Sequence, residues 1–405
     1  MKKQLILSFS IILFLLLATT GVILYAKGYQ YNIKQGLIGT GLLEVTSSPE
    51  GAAVYINGNL TTATNNTINL IPGTYKVAIS QDGYFSWEKD ITLQKEIVSK
   101  ANARLFPKYP NLESITDMGI SNPVLDPTLT KIAFVASPAA EMYPKKNGIF
   151  ILDMSNHQFF PIQNATTQIA DDASGDTFSK AQISWSPDGK NLLATISADR
   201  QIPTTYLLDS TTLNTSPQDV TETLNEVNNT WEKEKTEKET KQLNTLPDKL
   251  RRIATDNFSI LAWSLDETKI LYQASTSATI PPVIIPPLKG TNTIREDRSL
   301  EQGNIYVYDQ KDDKNFKILD KQTATHELDN GQIPLQWLPD STHLIYTHDK
   351  KIEVMDFDGQ NRITLYASPF VDHYVFPWPD GNKIVILTNF NNDQIQPNLY
   401  TISLK

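Results

Sequence analysis

The stretch that decides the fold is Ser184-Trp185-Ser186-Pro187-Asp188-Gly189-Lys190, which runs directly into the apolar segment Asn191-Leu192-Leu193-Ala194. Proline, aspartate and glycine in succession favour a tight turn, and the apolar segment has the length and composition of a β-strand. Related turn-and-strand units recur along the chain, beginning at residues 122, 262, 336 and 376. Self-similarity of this kind, with strands and turns but no intervening helix, predicts a propeller or a solenoid.

A second apolar strand follows the repeated units and ends at an aspartate in four cases: Asp153, Asp209, Asp309 and Asp356. Asp340 and Asp380 lie 40 residues apart, which suits one four-stranded blade. We therefore predict an all-β chain whose residues 110–405 form a β-propeller of five blades. A sixth blade, between residues 155 and 180 or in the divergent segments, stays open as an alternative. A strand at residues 112–115 would complete the last blade and close the ring, leaving no exposed sheet edge.

The W-S-P-D-G-K element resembles the WD40-like repeats of TolB-type and peptidase-associated β-propellers. Residues 352–359, which include Asp356-Phe357-Asp358-Gly359, resemble the strand-and-turn signature of the same group. One tryptophan per unit is expected to pack between blades, namely Trp185, Trp263 and Trp337. The aspartates of the turns are expected to accept backbone N–H groups rather than to act as catalytic acids, and these are Asp188, Asp266, Asp340 and Asp380.

A different pattern precedes the repeats, over residues 42–107. Strand-like segments are separated by turn signals such as Asn57-Gly58, Pro72-Gly73 and Asp82-Gly83, which predicts a small antiparallel β-sandwich. Pro49-Glu50-Gly51-Ala52, followed in order by V-Y-I-N-G, P-G-T-Y-x-V and D-G-Y, resembles the PEGA domain family. The resemblance implies an extracytoplasmic sandwich used for binding or spacing. Pro49 and Gly51 are expected to serve turn geometry, and the core aromatics are predicted to be Tyr55, Tyr75, Tyr84 and Trp87.

The N-terminus carries an apolar segment. Lys2 and Lys3 precede an uncharged run of 21 residues, 5–25, which as a helix is about 31 Å long and can cross a bilayer. A cleaved signal peptide is the competing interpretation, but its apolar core is shorter and ends in a small-x-small site, which is not evident here. We predict a signal anchor at residues 1–27 and a stalk at 28–41. The two lysines place the N-terminus in the cytoplasm and the following domains outside it.

Two insertions interrupt the repeats. Residues 216–255 have nearly balanced charge and an apolar stripe of Val220, Leu224, Val227 and Trp231, which predicts a helical excursion lying on the propeller rather than a partner-binding helix. Residues 276–302 contain Ile280-Pro281-Pro282-Val283-Ile284-Ile285-Pro286-Pro287-Leu288. Paired prolines force extended backbone, so an exposed or strand-edge loop is predicted there. Its apolar residues make it the better candidate of the two for contact with a partner.

Composition excludes several classes of function. The 405 residues carry a net charge of −9 without a basic patch free of nearby acids, which argues against nucleic acid as a partner. Cysteine is absent, which excludes disulfides, thiol nucleophiles, cysteine-ligated metals and lipidation at a cysteine. No nucleophile elbow, phosphate-binding glycine loop or zinc-ligand spacing occurs among the five histidines, which are His157, His326, His343, His348 and His373.

The acidic pair Asp356 and Asp358, with Gly359, could mimic part of a calcium loop, but the distal glutamate is absent and a turn is favoured. We therefore predict no catalytic, cofactor or metal site, and the sequence does not identify ligand-binding residues. The predicted function is that of a membrane-anchored scaffold that binds a protein, peptide or glycan of the cell envelope. One alternative is an envelope-processing enzyme whose active site lies in the propeller channel. Another, which the sequence does not separate from the scaffold, is an interaction subunit of a secretion or wall-assembly complex.

Overall fold

The structure is a computed structural model that describes residues 2–26, 28–32, 36–137, 146–155, 166–172, 176–197, 203–326, 334–371 and 373–405. The chain divides into two compact units. The first unit joins Met1–Lys108 to two later segments, Ile284–Glu296 and Lys311–Lys314. The second unit contains Tyr109–Val283, Asp297–Gln310 and Asn315–Lys405.

The first unit begins with helix α1 (Lys2–Ala26), which carries no charged residue after Lys3. Its segment Ser8–Tyr25 is long and apolar enough to cross a membrane, and none of this segment is buried inside the protein. Beyond α1, strand β1 (Tyr29–Asn32) pairs antiparallel with β2 (Gly36–Gly39). The segment that we predicted as a stalk therefore contains a β-hairpin.

A β-sandwich of two sheets follows. Its strands are β3 (Gly41–Ser48), β4 (Ala53–Ile56), β5 (Asn59–Ala63), β6 (Asn66–Leu70), β7 (Gly73–Ser80), β8 (Trp87–Leu93) and β9 (Val98–Arg104). One sheet has the order β6-β3-β9 and the other β5-β4-β7-β8. All pairs are antiparallel as predicted except β3 with β9, which is parallel. The first and last strands of the sandwich thus lie side by side after the chain has passed through both sheets, which local turn signals do not reveal.

Local signals do account for the turns and most of the core. Asn57 and Gly58 both have positive φ, 49° and 82°, as the type I′ hairpin requires. The core of the sandwich buries Leu43, Val45, Val54, Val77, Ile79, Trp87 and Ile91, with Tyr75 and Tyr84 packed against it. Tyr55 was wrongly predicted as a core aromatic. It alternates with buried Val54 and Ile56 along β4 and so lies on the outer face of that strand.

The second unit contains five four-stranded antiparallel sheets within its described residues, which we number in chain order. Sheet 1 has β11 (Ile120–Leu125), β12 (Lys131–Ala136), β13 (Gly148–Asp153) and β14 (Thr166–Asp171), and sheet 2 has β15 (Gln182–Trp185), β16 (Asn191–Ile196), β17 (Thr204–Asp209) and β18 (Gln218–Asp219). Sheet 3 has β19 (Phe258–Trp263), β20 (Lys269–Ala274), β23 (Ile305–Asp309) and β24 (Lys314–Leu319), and sheet 4 has β25 (Leu335–Trp337), β26 (His343–His348), β27 (Lys351–Asp356) and β28 (Ile363–Tyr366).

Sheet 5 joins the two ends of the unit. Strands β29 (Val375–Pro377), β30 (Lys383–Thr388) and β31 (Asn398–Ser403) are completed by β10 (Leu112–Ser114), which pairs with β31. The prediction that a strand at residues 112–115 completes the last blade is confirmed. One apolar cluster combines Ile132 and Phe134 of sheet 1 with Trp378 and Val385 of the chain end. Sheets 5 and 1 therefore pack against each other, which closes the ring of a β-propeller.

The repeated tryptophans and aspartates act as predicted in most units. Nε1 of Trp185 donates a hydrogen bond to the Val124 carbonyl of sheet 1 at 3.0 Å, and Nε1 of Trp337 donates to the Ala262 carbonyl of sheet 3 at 3.4 Å. Trp263 instead packs, half-buried, within the cluster of its own sheet. Each turn aspartate accepts the N–H of the residue two positions later, and these donors are Lys190, Thr268, Thr342 and Asn382.

The first insertion contains α2 (Leu224–Asn244) and α3 (Asp248–Asn257) between β18 and β19. Leu250 and Ala254 of α3 are buried in the apolar cluster of sheet 3. Helix α2 buries no residue. Of the predicted stripe, Val220 is buried just before the helix, and Leu224, Val227 and Trp231 are half-buried. The excursion therefore lies on the propeller mainly through α3, with Leu243 at the end of α2 packed against the same cluster.

Shorter elements complete the described residues of the second unit. Strands β21 (Ala278–Thr279) and β22 (Ser299–Leu300) pair within the second insertion, between β20 and β23. A 3-10 helix, Phe178–Lys180, precedes sheet 2, and α4 (Lys321–His326) follows β24. The described part of residues 155–180 contributes β14 to sheet 1 and this 3-10 helix. The remainder of the proposed sixth blade lies outside the described residues.

Candidate functional site: an exposed diproline loop

The second insertion contains an exposed apolar loop, which we call the diproline loop (residues 284–292). Residues 285–289 of this loop, Ile285-Pro286-Pro287-Leu288-Lys289, are all exposed. The Ile285 side chain is 74% exposed and that of Leu288 is 47% exposed. The two side chains flank Pro286 and Pro287, so the exposed tip of the loop is apolar throughout, which makes it the candidate contact surface. The prediction of an exposed loop at this insertion is confirmed.

The base of the loop is held by two neighbouring carboxylates. The Ile284 N–H donates to Asp313 Oδ2 at 2.8 Å, and the Asn292 N–H donates to Asp312 Oδ2 at 2.9 Å. The Lys314 ammonium donates to the Asn292 carbonyl. Both ends of the loop therefore meet on one turn, residues 311–314, and the residues between them project as a closed tip.

Gly290 of the loop and Thr293 just after it contact the edge strands of the sandwich within the first unit. The Thr293 hydroxyl donates to the Asp90 carbonyl of β8 at 2.7 Å. Gly290 has a φ of +74°, and a Cβ built on it would lie 2.7 Å from the Val98 carbonyl oxygen and 2.8 Å from Ile97 Cγ2. The backbone can approach β9 this closely only because residue 290 has no side chain.

Gly290→Ala is expected to loosen the diproline loop without unfolding the sandwich. The added Cβ meets backbone, and alanine at positive φ adds about 1–2 kcal/mol of strain. Hydrogen exchange at the Ile284 and Asn292 amides should become about tenfold faster, since 1.4 kcal/mol corresponds to a factor of ten. Gly73→Ala is the matched control, because its Cβ would meet nothing closer than 3.8 Å and its φ is not positive. Equal protection in both variants would contradict the close packing of Gly290.

Sheet 4 contains two clusters of histidine with acidic side chains. His343 is buried, with Nδ1 2.8 Å from Asp340 Oδ2 and Nε2 3.3 Å from Asp356 Oδ1. Burial alone lowers the pKa of this imidazole, but hydrogen bonds and charge from the two carboxylates outweigh burial and raise the pKa from 6.5 to about 9. His343 is therefore an imidazolium that ties two turns together.

The second cluster lies at the other end of β26. Nε2 of His348 lies 3.1 Å from Glu353 Oε2, and the Arg362 guanidinium bonds the same carboxylate and stacks 4.5 Å from the Tyr346 ring centre. Burial favours a higher Glu353 pKa, but hydrogen bonds from Arg362 and His348 outweigh it and lower the pKa. The cluster's charges are paired with each other, which is typical of a structural network.

The remaining predicted positions do not form a site in the described residues. Asp356 accepts from the Asn361 amide at 3.0 Å and Asp358 from the Gln360 N–H at 3.2 Å, so this acidic pair belongs to a turn, as predicted. Within the part of the chain that the structure describes, no group of three His, Cys, Asp or Glu side chains could hold a metal ion. His157 and the side chain of His326 lie outside the described residues.

Comparison with known proteins identifies the sandwich. The sequence profile of the PEGA domain matches residues 40–108. These residues are a PEGA domain. The match begins two residues before the predicted start at 42 and includes strands β3 to β9 of the PEGA domain. No curated protein matches the chain.

Solved structures similar to this chain include several propeller proteins. TolB from Acinetobacter baumannii is 14% identical over 82% of this chain and 59% of its own length, with a TM-score of 0.24. The β-propeller domain of the Trilobed protease from Pyrococcus furiosus is 12% identical over 90% of this chain and 95% of its own, with a TM-score of 0.21. Acylaminoacyl peptidase from Pyrococcus horikoshii is 12% identical over 72% of this chain and 40% of its own length, with a TM-score of 0.20.

This chain spans less than two thirds of the Acinetobacter TolB and of the Pyrococcus horikoshii peptidase. At such identities and TM-scores the similarities carry no argument about function. The assignment of the second unit to the propeller class rests on its own sheets and on the closure of sheet 5 by β10.

Sequence reasoning located the diproline loop but missed the residues that hold it. Asp312 and Asp313 follow a strand of sheet 3 and precede the next, where acidic residues are ordinary turn formers. Gly290 was equally inconspicuous, because its role depends on a strand almost 200 residues earlier in the chain. A proline-flanked apolar run was the only local signal.

Proposed function

We propose that this protein is a membrane-anchored binding protein of the cell envelope. Helix α1 would cross the membrane, and the PEGA domain and the propeller would be presented outside the cytoplasm to a protein, peptide or glycan. The observation that carries the proposal is that Ser8–Tyr25 could span a bilayer and is not covered by any part of the described protein. A soluble protein would bury such a helix to remove its apolar surface from water.

The orientation follows from the charges that flank α1. Lys2 and Lys3 precede the apolar segment, and positive charge is retained on the cytoplasmic side. The C-terminal end of α1 continues into β1, β2 and the PEGA domain, so these would lie outside. The function proposed is binding rather than catalysis. Both ring nitrogens of buried His343 face carboxylates, which suits a structural role for this histidine.

The anchor is tested with the full-length chain expressed in bacteria. The intact chain is expected to remain in membranes washed with high salt and carbonate, and protease added to spheroplasts should digest the propeller. Ile12→Lys with Leu16→Lys is expected to release the protein, because each charge at the helix centre costs about 2.5–3.5 kcal/mol on insertion. Leu265→Lys is the matched control, since this exposed leucine lies in the second unit and outside α1.

A mature chain that begins after residue 25 and is released without detergent would refute the anchor and favour a cleaved signal peptide. Protection of the propeller from external protease would refute the orientation. Turnover of peptide or glycan libraries by the purified protein would refute the non-enzymatic proposal.

A further inference from the structure

Helix α1 ends beside one particular end of the PEGA domain. The Gly28 N–H donates to the Tyr25 carbonyl at 2.9 Å, and the Gly28 carbonyl accepts from the Thr40 N–H at 3.3 Å. The Thr40 carbonyl in turn accepts from the Glu96 N–H at 2.9 Å. The exit of α1 is therefore fastened to the turn that connects β8 to β9, and we call this the helix end of the PEGA domain.

The diproline loop lies at the same helix end. Gly290 packs on Ile97 and Val98, the residues that directly follow Glu96. Thr293 bonds Asp90, which lies three residues before the end of β8. The chain from Thr293 back to Gly290 therefore runs towards the helix end, and residues 285–289 lie beyond Gly290 as the closed tip of the loop.

Exposed apolar groups and two lysines lie at this end of the unit, together with Glu96, which accepts a hydrogen bond from the Tyr29 hydroxyl at 2.6 Å. Besides Ile285 and Leu288 in the loop, Ile71 is 45% exposed and Val98 is 46% exposed. Ile71 directly follows β6, whose Leu70 pairs with Gly41 at the start of β3. Lys289 extends the loop tip, and the Lys95 ammonium lies 4.9 Å from the Tyr29 ring centre. Apolar side chains beside lysine and tyrosine are typical of protein surfaces that rest in the interfacial layer of a bilayer.

We propose that the diproline loop inserts into the outer interfacial layer of the same bilayer that α1 crosses. Ile285 and Leu288 enter the boundary between headgroups and acyl chains, and Lys289 stays at the level of the lipid phosphates. The two prolines limit the conformations of the tip, so little entropy is lost when it inserts. The inference rests on the proposed function, because α1 must span the membrane for the helix end to face it.

The absence of cysteine makes the test direct, since a single cysteine can be introduced and labelled at any position. The full chain is reconstituted in nanodiscs of phosphatidylcholine with phosphatidylglycerol and carries an environment-sensitive dye at one position. Two probe positions lie in the loop, Ile285→Cys and Leu288→Cys. A third, Leu16→Cys in α1, reports whether the helix is inserted in the membrane. Glu50→Cys is the control, because Glu50 is exposed beyond the far end of β3. Seven residue steps along β3 place that end about 23 Å from the helix end.

The loop probes are expected to show a blue-shifted emission that nitroxide-labelled lipids quench, while the Glu50 probe emits as in water and is not quenched. If the Leu16 probe is quenched but the loop probes emit as in water, the inference is overturned and the anchor stands. A water-like Leu16 probe would instead refute the anchor and the inference with it. Loop probes that become shielded only when a protein from the same envelope is added would show that the loop binds protein, which also overturns the inference.

The charge of the loop provides a second, independent readout. The variant Lys289→Glu is combined with the dye-labelled Leu288→Cys position. In anionic nanodiscs, nitroxides on the lipid headgroups should quench this dye less than in the protein with Lys289, because the lipid phosphates repel the new carboxylate. The fold is not at risk, because residue 289 is exposed. Unchanged quenching in this variant would contradict the assigned place of Lys289 at the phosphates.

Discussion

Replacing Trp185 by alanine is expected to lower the free energy of unfolding of the propeller by about 3–5 kcal/mol. The indole is 9% exposed and lies in the apolar cluster that sheets 1 and 2 share, together with Val135, Ile151 and Leu192. Truncation removes this contact from both sheets and leaves a cavity that the β-structure on either side cannot fill. The Val124 carbonyl also loses its donor.

The measurement is urea denaturation of the detergent-solubilised full chain, followed by far-ultraviolet circular dichroism. Trp185→Phe should retain much of the packing and lose about 1–3 kcal/mol, the range expected when a buried polar group loses its hydrogen bond. Trp231→Ala is the matched control. This half-buried tryptophan lies on α2, which buries no residue, so the change should cost less than about 1.5 kcal/mol. Equal effects at Trp185 and Trp231 would show that the repeated tryptophan does not join the blades.

Raising the pH through about 9 is expected to remove about 3 kcal/mol of stability that His343 contributes. The folded-state pKa of this imidazole is raised from 6.5, so its contribution is fully present below pH 6.5 and is lost as the pH rises towards 9. The physical reason is that the neutral ring can no longer donate a hydrogen bond to both Asp340 and Asp356.

His343→Gln should remove the pH dependence that His343 gives to the free energy of unfolding between pH 6.5 and 9. Only the dependence due to other titrating groups, which the variant shares with the wild type, should remain. Asp356→Asn should cost about 2 kcal/mol at pH 6, since a charged hydrogen bond is replaced by a neutral one in a buried position. It should also reduce the pH dependence, because only Asp340 then holds the charged ring. Denaturation midpoints at pH 6, 7.5 and 9 test both statements. An identical pH profile for wild type and His343→Gln would contradict the buried imidazolium.

The sequence patterns predicted those parts of the fold that depend on near neighbours. The turn of residues 186–190 forms because the Ser186 hydroxyl and the Lys190 N–H both bond Asp188, all within five residues. The Asn57-Gly58 hairpin follows from two residues that tolerate positive φ. The strand at residues 112–115 was recognised as the missing member of the last blade because a closed ring leaves no free sheet edge.

The outer face of Tyr55 and the packing of the first insertion were harder to predict. Tyr55 is one residue out of phase with Val54 and Ile56, and a single aromatic between two aliphatic residues does not reveal which face is buried. The stripe on α2 had helical spacing, but α3 supplies the buried residues Leu250 and Ala254. Periodicity locates an amphipathic face and does not say which of two adjacent helices will pack.

By itself the sequence determined the apolar helix, the PEGA motif and the repeating turn-and-strand units, because each depends on residues within a few positions of one another. Tertiary structure decided three features: the parallel pairing of β3 with β9, the protonated state of His343, and the contact of the diproline loop and its flanking residue with β8 and β9. Those features join residues that are distant in the sequence, or depend on which groups burial brings together. Their geometry follows from how the sheets close, which no local pattern encodes.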